Sequence, residues 1–140
     1  TTRFSEYLHN ANRDWIAELQ GQVDVTAPAP LWWQDMCFWT RASDGGKCLQ
    51  VNLVNPPKAA EVMENPRSEI HPPVRDITVT CAPADGQPPT AAWLLTSEPL
   101  ELAGLNQVQA VKLDLRDAGD GKVAVTVPSV LFWKMVVFQW

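Results

Sequence analysis

Histidine is nearly missing from this chain. There are two, His9 and His71, far apart in sequence. A Ser-His-Asp arrangement is therefore improbable, and no GxSxG stretch supplies a nucleophile elbow. No CxxC or HxxxH spacing is present, so a metal site is not expected. Clusters of Lys and Arg are also lacking, and the formal net charge is -5. A surface that binds nucleic acid needs a basic stripe to neutralise phosphates, so nucleic acid is excluded as a partner. Long apolar runs are lacking too. The longest, residues 130–140, is interrupted by Lys134 and Gln139, too short a span to cross a bilayer. No internal repeat and no low-complexity tract is visible. The first residues carry no signal-peptide pattern and enter a patterned segment at once. The expectation is a chain that begins as a mature or excised piece.

Cysteine is sparse and odd in number: Cys37, Cys48 and Cys81. At least one thiol stays unpaired. Cys37 and Cys48 flank a turn at 43–46, and in a hairpin closed there Cys37 lies opposite residue 51 or 52. That leaves Cys48 over about 10 Å away, too far for a disulfide. Three buried thiols acting as small hydrophobes are expected.

What the chain does have is tryptophan and proline, seven and twelve in 140 residues. The length suits one domain, and 46% apolar with 19% charged residues suits a folded one. Twelve prolines imply many bounded segments and few long helices. Phe4, Leu8, Ala11, Trp15 and Leu19 follow steps of three and four, so a helix is expected over 3–19, with Gly21 as its stop. After Gly21 the pattern turns to short strands. They are expected at 23–26, 34–41, 47–54, 77–81, 91–96, 108–115, 122–127 and 131–138. Asp44-Gly45 between two apolar runs is a hairpin signal, and Pro56-Pro57 ends the strand that follows. Residues 58–73 read as a long loop stiffened by Pro66, Pro72 and Pro73.

Alternation is clearest at Ile77, Val79 and Cys81, at Val111, Leu113 and Leu115, and at Val123, Val125 and Val127. One buried face and one wet face is the antiparallel signature. The last run, 131–138, is apolar on both faces and reads as a central strand covered on both sides. The fold class is all-β: an antiparallel β-sandwich of about eight strands, of Greek-key type, with one N-terminal α-helix. Residues 1–21 form the helix, which could be the end of a preceding barrel domain, and 22–140 form the sandwich.

Three stretches carry a resemblance. They are residues 4–14 (FSEYLHNANRD), 48–57 (CLQVNLVNPP) and 125–137 (VTVPSVLFWKMVV). Together they resemble the end of a (β/α)8-barrel glycoside hydrolase, where a β-sandwich follows the catalytic barrel. Dextranase-like and related α-glucan-acting enzymes are similar. Asn52 stands where such enzymes often carry a histidine. The resemblance implies a fold and a neighbouring barrel, and it assigns no catalytic residue here, because the carboxylate pair of those enzymes lies on the barrel.

The acids of this chain do not pair in sequence. Asp35, Asp44, Glu61, Glu64, Glu69, Asp76, Glu98, Glu101, Asp114, Asp117 and Asp120 are scattered, mostly at turns and strand ends, and read as surface carboxylates. Residues 44–46 and 117–121 lack the alternating oxygens of a calcium loop and read as plain turns. No cofactor and no metal is expected. Trp32, Trp33 and Trp39 lie within eight positions, just after Pro28 and Pro30. Flat indoles stack on the C–H faces of sugar rings, and they also fill cores and domain contacts. Adjacent Trp32 and Trp33 point to opposite faces if extended. Trp15, Trp93 and Trp133 read as packing residues. The leading expectation is a non-catalytic accessory domain that packs against and stabilises a catalytic barrel of the same polypeptide. The alternatives are an autonomous carbohydrate-binding module using Trp32, Trp33 or Trp39, with an oligo- or polysaccharide partner, and an extracellular protein-interaction domain. No membrane partner is expected, and the location expected of such a domain is extracellular or periplasmic.

Overall fold

A computed structural model of the 140-residue chain describes residues 21–41, 46–56, 72–96 and 109–140. The helix expected over 3–19 and most of the 58–73 loop lie outside these residues. Nine strands run through the described part: β1 (Val23–Thr26), β2 (Cys37–Arg41), β3 (Lys47–Val54), β4 (Val74–Cys81), β5 (Ala91–Thr96), β6 (Gln109–Leu113), β7 (Arg116–Gly119), β8 (Lys122–Val130) and β9 (Trp133–Gln139). They form two sheets in which every pairing is antiparallel. The first is four-stranded in the order β1-β4-β8-β7, and the second five-stranded in the order β2-β3-β9-β5-β6.

The alternating runs do what period two dictates. In the four-stranded sheet Ile77 lies opposite Val127, Val79 opposite Val125 and Cys81 opposite Val123. In the five-stranded sheet Leu49 and Ala92 flank Phe138, and Val51 and Leu94 flank Val136. These side chains meet between the sheets in one continuous core. Phe138, Leu49, Val51, Ile77, Val79, Val125 and Val127 are fully buried within it. The layers are thus a sandwich.

Strand β9 is central, with β3 on one side and β5 on the other, as the run at 131–138 predicts. One of its faces is buried. The other, carrying Trp133, Met135, Val137 and Gln139, is half-buried. Cys37 lies opposite Val51, so the hairpin register keeps Cys37 and Cys48 apart, and all three cysteines are free and buried.

Several strand bounds differ from the sequence reading: β2 starts at Cys37 rather than 34, β4 at Val74 rather than 77, β8 runs on to Val130, and β9 spans Trp133–Gln139. The single strand expected over 108–115 is two strands in different sheets. The chain leaves the five-stranded sheet after Leu113 and joins the four-stranded one at Arg116. The turn expected over 117–121 is tighter. Asp117 belongs to β7, and the reversal falls on Gly119, Asp120 and Gly121, all at positive φ. The Asp117 carboxylate accepts a hydrogen bond from the Gly119 N–H at 2.9 Å, an Asx turn that supports the reversal. Pro128, expected between strands, lies inside β8. It is tolerated because β7 pairs with β8 only from Lys122 to Ala124, and the β4 register passes over Pro128.

Candidate functional site: two unlike sheet faces and six tryptophans

The outer faces of the two sheets are chemically different. On the four-stranded sheet, Thr26, Thr78 and Thr126 form one row, and Asp24, Thr80 and Ala124 the next. Arg116 donates to the Thr126 hydroxyl at 3.0 Å. This is a hydroxyl-rich, solvated face. On the five-stranded sheet, the middle row reads Phe38, Gln50, Val137, Trp93, Lys112. The next row reads Asn52, Met135, Leu95, Ala110, and the end row Trp32, Val54, Trp133. Aromatic and aliphatic side chains dominate this face, and among its described strand residues the charge is Lys112 on the β6 edge.

Several polar groups of the apolar face are engaged by its own neighbours. Asn52, 9% exposed, donates from Nδ2 to the Met36 carbonyl at 2.9 Å and accepts the Trp133 indole N–H at 3.0 Å. Gln139 accepts the Trp93 indole N–H at 2.7 Å. Gln50 donates to the Thr40 hydroxyl at 3.4 Å. At the Trp32 end, Asn55 is buried, and its Nδ2 reaches the carbonyls of Pro72 (3.1 Å), Leu131 (3.0 Å) and Val130 (3.4 Å). That amide ties the start of β4 to the turn between β8 and β9, which presents Phe132.

The three tryptophans singled out in the sequence do not come together. Trp32 extends the β2 edge through a β-bridge to Val54, faces outward, and is 54% exposed. Trp33 is half-buried against the core and forms one wall of a cleft of about 400 Å3, with Pro28, Pro30 and Gln34 also lining it. Trp39 lies opposite Leu49 on the inner side. The partner positions of Trp32 and Trp39 on β3, Val54 and Leu49, are five residues apart, about 17 Å along the strand. Trp39 helps close the far end of the sandwich. Its ring centroid is 5.2 Å from that of Trp140, and Lys47 Nζ sits 4.1 Å above its ring. Trp140 donates from its indole to the Gln87 carbonyl at 2.8 Å. Lys47 also reaches Asp85 at 3.7 Å, an exposed pair of little energetic weight.

Hydrogen bonding sorts the six described tryptophans into two groups. Trp93, Trp133 and Trp140 spend their indole N–H on a protein oxygen. Trp32, Trp33 and Trp39 make no such bond among the described residues. The two that the sequence reads as packing residues and that fall within the described part, Trp93 and Trp133, are in the first group. Phe132, 48% exposed at the same end as Trp32, was not singled out, because an aromatic residue in a strand-like apolar run gives no signal of exposure.

Asp35, Asp76, Asp114, Asp117 and Asp120 are all exposed, and among the described residues no group of three or more His, Cys, Asp or Glu gathers. Asp44, Glu61, Glu64, Glu69, Glu98 and Glu101 lie outside them. The thiols are shielded rather than activated. Burial pushes Cys37 up to about 12, with nearby Cys81 and Asp35 adding to it. Burial likewise pushes Cys81 up to about 12, against a smaller opposing effect of a hydrogen bond from Gln22. A thiolate nucleophile is disfavoured at both.

No protein-family model matches the chain, and no curated protein matches it in sequence. Solved structures superpose on it at low identity. An α-L-fucosidase isoenzyme 2 from Paenibacillus thiaminolyticus superposes with a TM-score of 0.50 at 15% identity, over 90% of this chain and 16% of that one. A cycloisomaltooligosaccharide glucanotransferase from a Paenibacillus species, solved with cycloisomaltoheptaose, gives 0.45 at 15% identity, over 82% and 16%. The first likeness is one of fold, and the second falls below the level at which a shared fold can be argued. This chain therefore spans about a sixth of the length of either structural neighbour.

Proposed function

We propose that this chain is a non-catalytic accessory β-sandwich of a larger glycoside hydrolase, and that it packs on the catalytic barrel through the outer face of its five-stranded sheet. The observation that carries the reading is the difference between the two faces. The Thr-rich face is made for water. The opposite face presents Trp32, Phe38, Trp93, Trp133, Met135 and Val137, and Asn52, Gln50 and Gln139 each hydrogen-bond a neighbour on it or at its edge. Interface cores between proteins have this composition: aromatic residues and Met enriched, charge depleted. A face that must hydrogen-bond sugar hydroxyls needs unspent donors and acceptors, and here the indole N–H groups of Trp93 and Trp133 are engaged within the face. Support also comes from the fold, which matches one sixth of an α-L-fucosidase chain.

The test is direct. The 140-residue chain is purified and assayed on a panel of glycosidic substrates. Silence is expected, and turnover above the blank removes the non-catalytic claim.

A second reading has its own observation, the cleft at Trp33. A half-buried indole wall, an unspent N–H and the exposed Gln34 amide could receive a single sugar ring. Titration with soluble glucans under tryptophan fluorescence separates the two. Saturable quenching that vanishes in Trp33→Ala and weakens in Gln34→Ala supports a binding module, and an unchanged spectrum supports the scaffold.

A further inference from the structure

We draw no further inference here: the strongest candidate, the cleft in the crossover from β1 to β2 walled by Pro28, Pro30 and Trp33, belongs to the site already described, and nothing in the structure shows what fills it.

Discussion

The Asn55 amide is the sharpest place to perturb the end of the sandwich that carries Trp32. It has two N–H bonds, and three carbonyl oxygens lie within 3.0 to 3.4 Å of its nitrogen. The residue is 8% exposed, so water replaces those bonds poorly once they are gone. Each buried acceptor stripped of its donor costs about 1–3 kcal/mol. Two donors serve the three acceptors, so Asn55→Ala is expected to lose about 2–5 kcal/mol. Asn55→Asp has almost the same shape but turns two donors into an acceptor facing three acceptors. That carboxyl is favoured in its protonated form, so its folded pKa lies above the unfolded value of about 3.9. A group raised in this way contributes its stability below the unfolded pKa and loses it as pH rises through the folded one. The Asp variant is therefore expected to be nearest to the parent at low pH and furthest from it at neutral pH, the reverse of a surface Asp. Urea unfolding followed by tryptophan fluorescence measures both. A loss below about 0.5 kcal/mol in Asn55→Ala, the range of an ordinary surface change, would refute the clamp.

Phe138→Ala opens the centre of β9, where Leu49 and Ala92 lie opposite, and is expected to cost about 3–5 kcal/mol by the same assay. Cys37 and Cys81 both sit near 12 when folded, above the unfolded value, so their contribution is intact below about pH 8.5 and is lost as pH climbs toward 12. The folded state holds protons that the unfolded chain releases, so stability falls as pH rises between those limits. Urea midpoints in reductant from pH 8 to 11 should show it, and the Cys37→Ala, Cys81→Ala double variant should lose that part of the fall. Lys47→Met removes the ammonium above Trp39 and is expected to cost about 0.5–1 kcal/mol, an effect that added salt leaves largely in place if the aromatic face rather than Asp85 carries it.

Much of the sandwich is legible from period two alone. Strands β1, β3 and β5 fall on the residues at which alternation predicts them, and a turn at 43–46 puts Cys37 opposite residue 51 or 52, of which the structure takes Val51. The exchange of sheets at Asp114-Leu115 is not legible. Val111, Leu113 and Leu115 keep perfect alternation across it, and no Gly or Pro marks the crossing, so polarity gives one strand where the chain makes two. Nor is the interior of β8 legible at Pro128. Proline ends a strand only where a neighbouring strand needs its missing N–H, and that depends on how far β7 extends. Lys134 is the reverse case. It reads as a polar interruption of an apolar run, yet it lies opposite Leu53 on the inner side and is 3% exposed. A long stem can be buried there while the periodicity around it stays intact.

The tryptophans show what sequence order can and cannot tell about a site. Clustering in the chain put Trp32, Trp33 and Trp39 together, and the strand geometry separates them onto an outer face, a crossover cleft and a closed end. What they share is chemical: none has spent its indole N–H within the described protein. The other three have, on Gln139, Asn52 and Gln87. A buried indole with a satisfied N–H is finished as a structural element, because any new partner must first break that bond. An indole with an unspent N–H and an exposed ring breaks no protein hydrogen bond on association and gains both burial and an acceptor. Of the three candidates only Trp32 combines that unspent N–H with high exposure and a backbone pinned by a reciprocal pair of hydrogen bonds. Recognition by this sandwich, whether of protein or of sugar, is therefore expected to be more sensitive to Trp32 than to Trp39, whose replacement acts through the closed end and its stability.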